Sequence, residues 1–211
     1  MKDVYILGAG KFAEEVGDVI SLLDSLNLKG YIEGIDIKKA GTFIGGLPVI
    51  WLDDVTGIQE EFFSICGAGS QKRGIFIKSA LEKGVKFINV IHPNAQMSKT
   101  VKTGKGVFIN SGSVIAAQSV LGDHVLVNRG SLIGHHTVIE DHVIISPGAN
   151  VAGRVHVKKG AFIGMGSIVI DGLTIGENSI VGSGAVVIRD VPDNVIVLGI
   201  PAKVVKSLQT E

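Results

Sequence analysis

A period of six fills the second half of this chain and constrains its fold more than any other feature. Stepping by six from Ile109 gives Ile115, Leu121, Val127, Ile133, Ile139, Ile145, Val151, Val157, Ile163, Val169, Ile175, Val181 and Val187. All fourteen positions are Ile, Leu or Val. Four residues after each stands a small or aliphatic residue, from Ser113 to Val191. Ile91 and Met97 keep the register upstream, and Thr103 breaks it. Six matches neither the 3.6 period of a helix nor the two-residue alternation of a half-buried strand. It matches a parallel β-helix in which each hexad makes one flat side and one tight corner. Three hexads close a coil, so fourteen give roughly 4.7 coils and about 23 Å of column at the spacing of hydrogen-bonded strands. Gly or Asn recurs directly after the inward aliphatic, at Asn110, Gly122, Asn128, Gly134, Gly164, Gly176 and Gly182. These positions are expected to give the corners a permissive backbone.

The first half has a different composition. Nine of the eleven aromatic residues lie before residue 90, so two cores are expected, with a boundary near 88–93. Val4–Leu7 reads as a strand ending at Gly8. Apolar residues at Phe12, Val16, Val19, Ile20 and Leu23 have helical spacing over 11–26. Strands are expected over 31–35, 62–66 and 87–91, and a helix over 71–83 with Ser70 as its N-cap. This alternation of strand and helix predicts a small parallel sheet. The three segments expected are an α/β Rossmann-like half-domain over 1–88, a parallel β-helix over 89–191 and a tail over 192–211.

Charge and cysteine content narrow the function classes. Twenty basic side chains balance twenty acidic ones among 211 residues, which argues against a nucleic-acid-binding face. The single cysteine, Cys66, excludes an intramolecular disulfide framework and a Cys-based zinc site. The first residues enter a short apolar strand, so no secretory signal is expected. No stretch approaches the ~18 apolar residues of a membrane span. A soluble cytoplasmic protein is the expectation. His135, His136 and His142 lie close in sequence but lack a three-sided ligand pattern, so no metal site is expected.

Four landmarks occur in order: Gly8-Ala9-Gly10; Gly67-Ala68-Gly69; Asn128-Arg129-Gly130-Ser131-Leu132-Ile133-Gly134-His135; and Gly199-Ile200-Pro201-Ala202-Lys203. Over the whole chain this resembles the bacterial nucleotide-sugar acetyltransferases and the sialic acid O-acetyltransferase-like proteins. These are hexapeptide-repeat acyltransferases built on a left-handed β-helix, and the resemblance supplies the handedness. It implies acetyl-CoA as acyl donor, a nucleotide-linked sugar as acceptor, and a homotrimer. It implies His135 as general base, a task that suits an imidazole titrating near neutrality. Family members acting on amino sugars usually carry an acidic residue after the base; here His136 stands there, and Glu140 or Asp141 are candidates to replace it. Asn128 reads either as a corner residue or as a substrate contact.

By family position, Gly153, Gly164, Met165, Gly182 and Ser183 would line the acetyl-CoA groove. Lys203, Arg154, Lys158 and Lys159 would meet its phosphates, and Ile144 stands where a histidine often touches the acetyl group. In the first half Gly8, Gly10, Lys11, Phe12 and Gly67 would surround the diphosphate at a helix N-terminus, with Glu33 or Asp36 as the ribose-binding acid. Lys11-Phe12 replaces the family's usual Gly-His. Three functions stay open from sequence: N-acetylation of a nucleotide-linked amino sugar for surface glycan synthesis, O-acetylation of a sialic-acid-like sugar, and a non-catalytic nucleotide-sugar-binding scaffold.

Overall fold

The computed structural model describes residues 1–58, 61–70 and 73–208. The chain divides into one compact unit spanning Met1–Pro93 and a second that starts at Asn94.

In the first unit, β1 (Lys2–Leu7), α1 (Lys11–Ser21), β2 (Leu26–Glu33), β3 (Phe43–Ile44), β4 (Leu47–Trp51), β5 (Phe63–Cys66), α2 (Arg73–Glu82) and β6 (Lys86–Phe87) follow one another. The sheet order is β3-β4-β2-β1-β5-β6. Every pairing is parallel except the β3–β4 hairpin. β1 is central, so Val4, Ile6 and Leu7 are buried on both faces. α1 lays Ala13, Val16, Val19 and Ile20 on the sheet. It ends five residues before the expected 26, because Leu26 already pairs with Lys2. Phe76, Ile77 and Ala80 of α2 close the other face against Leu7, Ile32, Cys66 and Phe87. Each large side chain so buried contributes about 1.5–3 kcal/mol. The expected helix start at 71 falls outside the described residues. The strand expected over 87–91 is two short pieces, Lys86–Phe87 and Val90–Ile91.

The second unit is a left-handed parallel β-helix. Two-residue strands stack eighteen residues apart on three faces. On face 1, Phe108 pairs with Leu126, Leu126 with Ile144, Ile144 with Phe162 and Phe162 with Ile180. On face 2, Val114 pairs with Leu132, Leu132 with Asn150, Asn150 with Ile168 and Ile168 with Val186. On face 3, Val120 pairs with Val138, Val138 with His156 and His156 with Thr174. The inward ladder is buried, Ile109 to Val187 alike. The small residues at the fourth position turn into the corners: Ser119 Oγ donates to the Gly134 carbonyl at 2.9 Å, and Thr137 Oγ1 to that of Ala152 at 2.9 Å.

Three expectations need correction. The register survives Thr103, because Lys102–Thr103 pairs with Val120–Leu121. Of the tail expected over 192–211, residues 192–208 are described, and they join the β-helix: Val195–Leu198 extends face 1 beside Ile180–Val181, and Lys203–Ser207 folds back on it antiparallel. The left-handed corner residue is the third after the inward aliphatic, not the first. His136 has φ +57°, Arg154 +57° and Gly130 +67°, whereas Asn128 is not left-handed. Glycine at the first position answers to space. A Cβ on Gly134 would stand 2.7 Å from Gly153 Cα, and one on Gly164 would stand 2.6 Å from Ser183 N.

Candidate functional site

The second corner of each coil follows face 2, and His135 and His136 stand on one of these corners. His135 and His136 project from it and are exposed. Backbone bonds fix both: the His136 N–H donates to Ala117 O at 2.9 Å, and His135 O accepts from Arg154 N at 2.8 Å. The rings meet edge to face with centroids 5.3 Å apart. Nδ1 of His135 lies 3.1 Å from Nδ1 of His136, so one of these nitrogens carries a proton and the other accepts it. The opposite edge of the His135 ring, Cε1 and Nε2, lies over Gly153 one coil on.

Glu140 and Asp141 do not replace the missing acid. They sit on the third corner. Glu140 takes His156 Nε2 at 2.6 Å and the Lys159 N–H at 2.9 Å. Burial works to raise its pKa, and these two partners with Lys158 bring it net below the ordinary value. Asp141 Oδ1 accepts the Asp123 N–H at 2.7 Å. An acid that does lie on the second corner, beside Gly153, is Asp171, in an ion pair with Arg154. The sequence reading missed it, because it stands two coils from His135 in the chain.

Asn128 lies on the first corner, away from His135. Its Oδ1 accepts from Asn110 Nδ2 at 3.2 Å and from the Arg129 N–H at 2.8 Å, a ladder that stiffens that corner. Gly164, Met165, Gly182 and Ser183 stack on the same first corner, and Met165 is exposed. Gly153 is not with them but beneath His135 on the second corner. Lys203 lies exposed in the terminal hairpin. The expected phosphate ligands Arg154 and Lys158 are engaged in ion pairs with Asp171 and Asp193. Ile144 is buried on face 1.

In the first unit Gly8, Gly10, Lys11, Phe12 and Gly67 converge at the carboxyl ends of β1 and β5. Strand order reverses there, at the crevice where open α/β sheets bind ligands. Gly10 is the N-cap of α1. Gly67 has no room for a side chain: a Cβ would stand 2.9 Å from Ala13 Cα. Glu33 is buried and folds back on its own loop, with Oε1 accepting from the N–H groups of Gly34, Ile35 and Asp36 at 3.0, 2.9 and 3.3 Å. Asp36 caps the short helix Ile37–Lys39. Lys39, which the sequence reading did not single out, links the two loops: its Nζ donates to Ala9 O at 3.2 Å and lies 3.8 Å from Glu33 Oε2.

Among the described residues no group of three or more His, Cys, Asp or Glu side chains is placed to hold a metal. No described helix is long and apolar enough to cross a membrane.

Residues 154–189 match the family described as bacterial transferase hexapeptide (six repeats). A mutant of perosamine N-acetyltransferase from Caulobacter crescentus, in complex with CoA and GDP-perosamine, is 30% identical over 98% of both chains, with a TM-score of 0.89. The chain belongs to the hexapeptide-repeat nucleotide-sugar N-acetyltransferase family. Other relatives of this acyltransferase agree. The acetyltransferase domain of PglB from Neisseria gonorrhoeae, in complex with acetyl coenzyme A, is 28% identical over 97% of this chain and 99% of that one, with a TM-score of 0.87. WeeI from Acinetobacter baumannii is 28% identical over 97% of this chain and all of its own, with a TM-score of 0.88. An uncharacterized protein of Acanthamoeba polyphaga mimivirus is 35% identical over 122 residues, a match spanning 57% of this acetyltransferase but 24% of the viral protein.

Proposed function

We propose that this chain transfers the acetyl group of acetyl-CoA to the amine of a nucleotide-linked sugar, with His135 as general base. The observation that carries this reading is the orientation of the His135 ring. Nδ1 is held against His136 while Nε2 lies beside the bare Cα of Gly153. If His135 Nδ1–H donates to His136 Nδ1, the lone pair of His135 is fixed on Nε2, and His136 sets the tautomer as a neutral acceptor in place of the family's acid. Nε2 takes one proton from the amine as nitrogen attacks the thioester carbon. It returns that proton to sulfur as the C–S bond breaks.

The nucleotide is assigned to the first unit, where the first turn of α1 and Gly67 meet at the sheet's switch point. Backbone N–H groups at a helix start suit a diphosphate. The donor groove is assigned to Gly164, Met165, Gly182 and Ser183. These line the first corner, and His135 the second, with face 2 between them. Val114, Leu132 and Ile168 on face 2 are exposed. A three-fold homotrimer that buries face 2 sets one copy's first corner beside its neighbour's second. That arrangement supports three sites built between copies.

Thiol release from acetyl-CoA, measured over a panel of GDP-, UDP- and dTDP-linked amino sugars, tests the activity. Acceptor-dependent release is expected with at least one amino sugar. Release that no acceptor stimulates would overturn the assignment, and light scattering that returned an active monomer would overturn the trimer.

A further inference from the structure

We infer that Asp171 binds the acceptor amine and, together with His135, selects it over a hydroxyl. The inference rests on the reading of His135 as base. Its starting point is Gly153. The backbone there is not left-handed, so conformation does not demand glycine. Space does: a Cβ would stand 2.9 Å from both Nε2 and Cε1 of His135 and 3.1 Å from Asp171 Oδ1. Those distances bound the separation of Nε2 and Oδ1 at 6.0 Å. The bare Cα therefore keeps a notch on the second corner, walled by an imidazole edge from the coil before and a carboxylate from the coil after.

The two oxygens of Asp171 have different surroundings. Oδ2 pairs with Arg154 Nη2, which holds the carboxylate in place, while Oδ1 is the oxygen turned to the notch. Both groups facing the notch are thus hydrogen-bond acceptors: the Nε2 lone pair and a carboxylate oxygen. A free amine brings two N–H donors and one lone pair. One N–H satisfies Nε2, the other satisfies Oδ1, and the lone pair is left for the thioester carbon. A hydroxyl brings one donor, so it satisfies one wall and turns a lone pair toward the other. In the transfer the N–C bond forms and the C–S bond breaks. The proton facing His135 passes to Nε2 and on to sulfur, and the proton facing Asp171 remains on the amide nitrogen.

The test uses the full-length protein, acetyl-CoA, the best amino sugar of the panel above, and the same nucleotide sugar with a hydroxyl at the amine position. Asp171→Asn keeps an oxygen acceptor without the charge, and Asp171→Ala removes both. The double variant Asp171→Ala/Arg154→Asn leaves no freed cation behind. Losing a hydrogen bond to a charged group lowers kcat/KM for the amine roughly ten- to a hundredfold. Ala is expected to cost more than Asn, and the double variant as much as Asp171→Ala. The preference for amine over hydroxyl should fall by a similar factor, with the unfolding midpoint and acetyl-CoA affinity of the single Asp171 variants unchanged. An Asp171→Ala enzyme that keeps its amine preference within twofold while His135→Ala is dead would refute this role and leave the base intact. Unimpaired transfer by His135→Ala, or no turnover of any amino sugar, would take down the base reading and this inference together.

Discussion

In the third corner of the β-helix, Asp123 Oδ1 receives the Lys105 N–H and Asp141 Oδ1 receives the Asp123 N–H, each at 2.7 Å. In the second corner the equivalent position of the neighbouring hexad holds His135, whose Nδ1 meets another imidazole and whose Nε2 lies beside the bare Cα of Gly153. The two corners share one backbone path, with left-handed residues at His142 (φ +61°) and His136 (φ +57°). One spends its polar side chains on capping the next turn. The other leaves an imidazole, a carboxylate and a bare glycine together on its outer side. A repeat fold fixes where side chains stand; whether they serve stability or chemistry depends on how many of their hydrogen bonds the repeat consumes.

The largest effect should come from disturbing what both corners share. Gly134→Ala places a Cβ against the Ala152–Gly153 peptide, where backbone has to move. A loss of roughly 3 kcal/mol or more is expected, read as a lower denaturant midpoint. Gly130→Ala, in open space at φ +67°, should cost only about 1–2 kcal/mol. Next in size is His136→Gly, which removes the Nδ1 partner of His135 without strain at a left-handed position. Loss of one neutral hydrogen bond predicts a fall in kcat of about five- to tenfold, with the unfolding midpoint unchanged.

Asp141→Ala in the third corner should do the reverse, lowering stability by about 1–2 kcal/mol and leaving kcat alone. The smallest effect is acid sensitivity of the same corner. The Glu177 N–H and then Lys158 hold Asp193 below the ordinary carboxylate range. A depressed folded pKa gives stability that is complete above the unfolded value near 4 and is lost as pH falls through the lower folded value. Asp193→Asn should therefore lower the melting temperature slightly at neutral pH, with the difference from wild type closing as pH falls through the folded value, so that the acid limb is flattened.

The column was legible because one residue in six faces inward, and a single missing term, Thr103, does not break the pairing. The hairpin of β3 and β4 was not read, although Gly45-Gly46, with φ +56° and +81°, is a turn signal. His135 was visible in its motif. Asp171 was not, since only the coil pitch brings it to Gly153. Glu33 was visible as an acid but not as the cap of its own loop, a role set by burial.

The most direct test is the turnover of His135→Ala with acetyl-CoA and the best amino sugar acceptor, measured beside its unfolding midpoint and its affinity for acetyl-CoA. Removing a general base should cut kcat by about 10²–10⁴-fold while the midpoint and the affinity stay at wild-type values. Turnover within a few-fold of wild type would contradict the account.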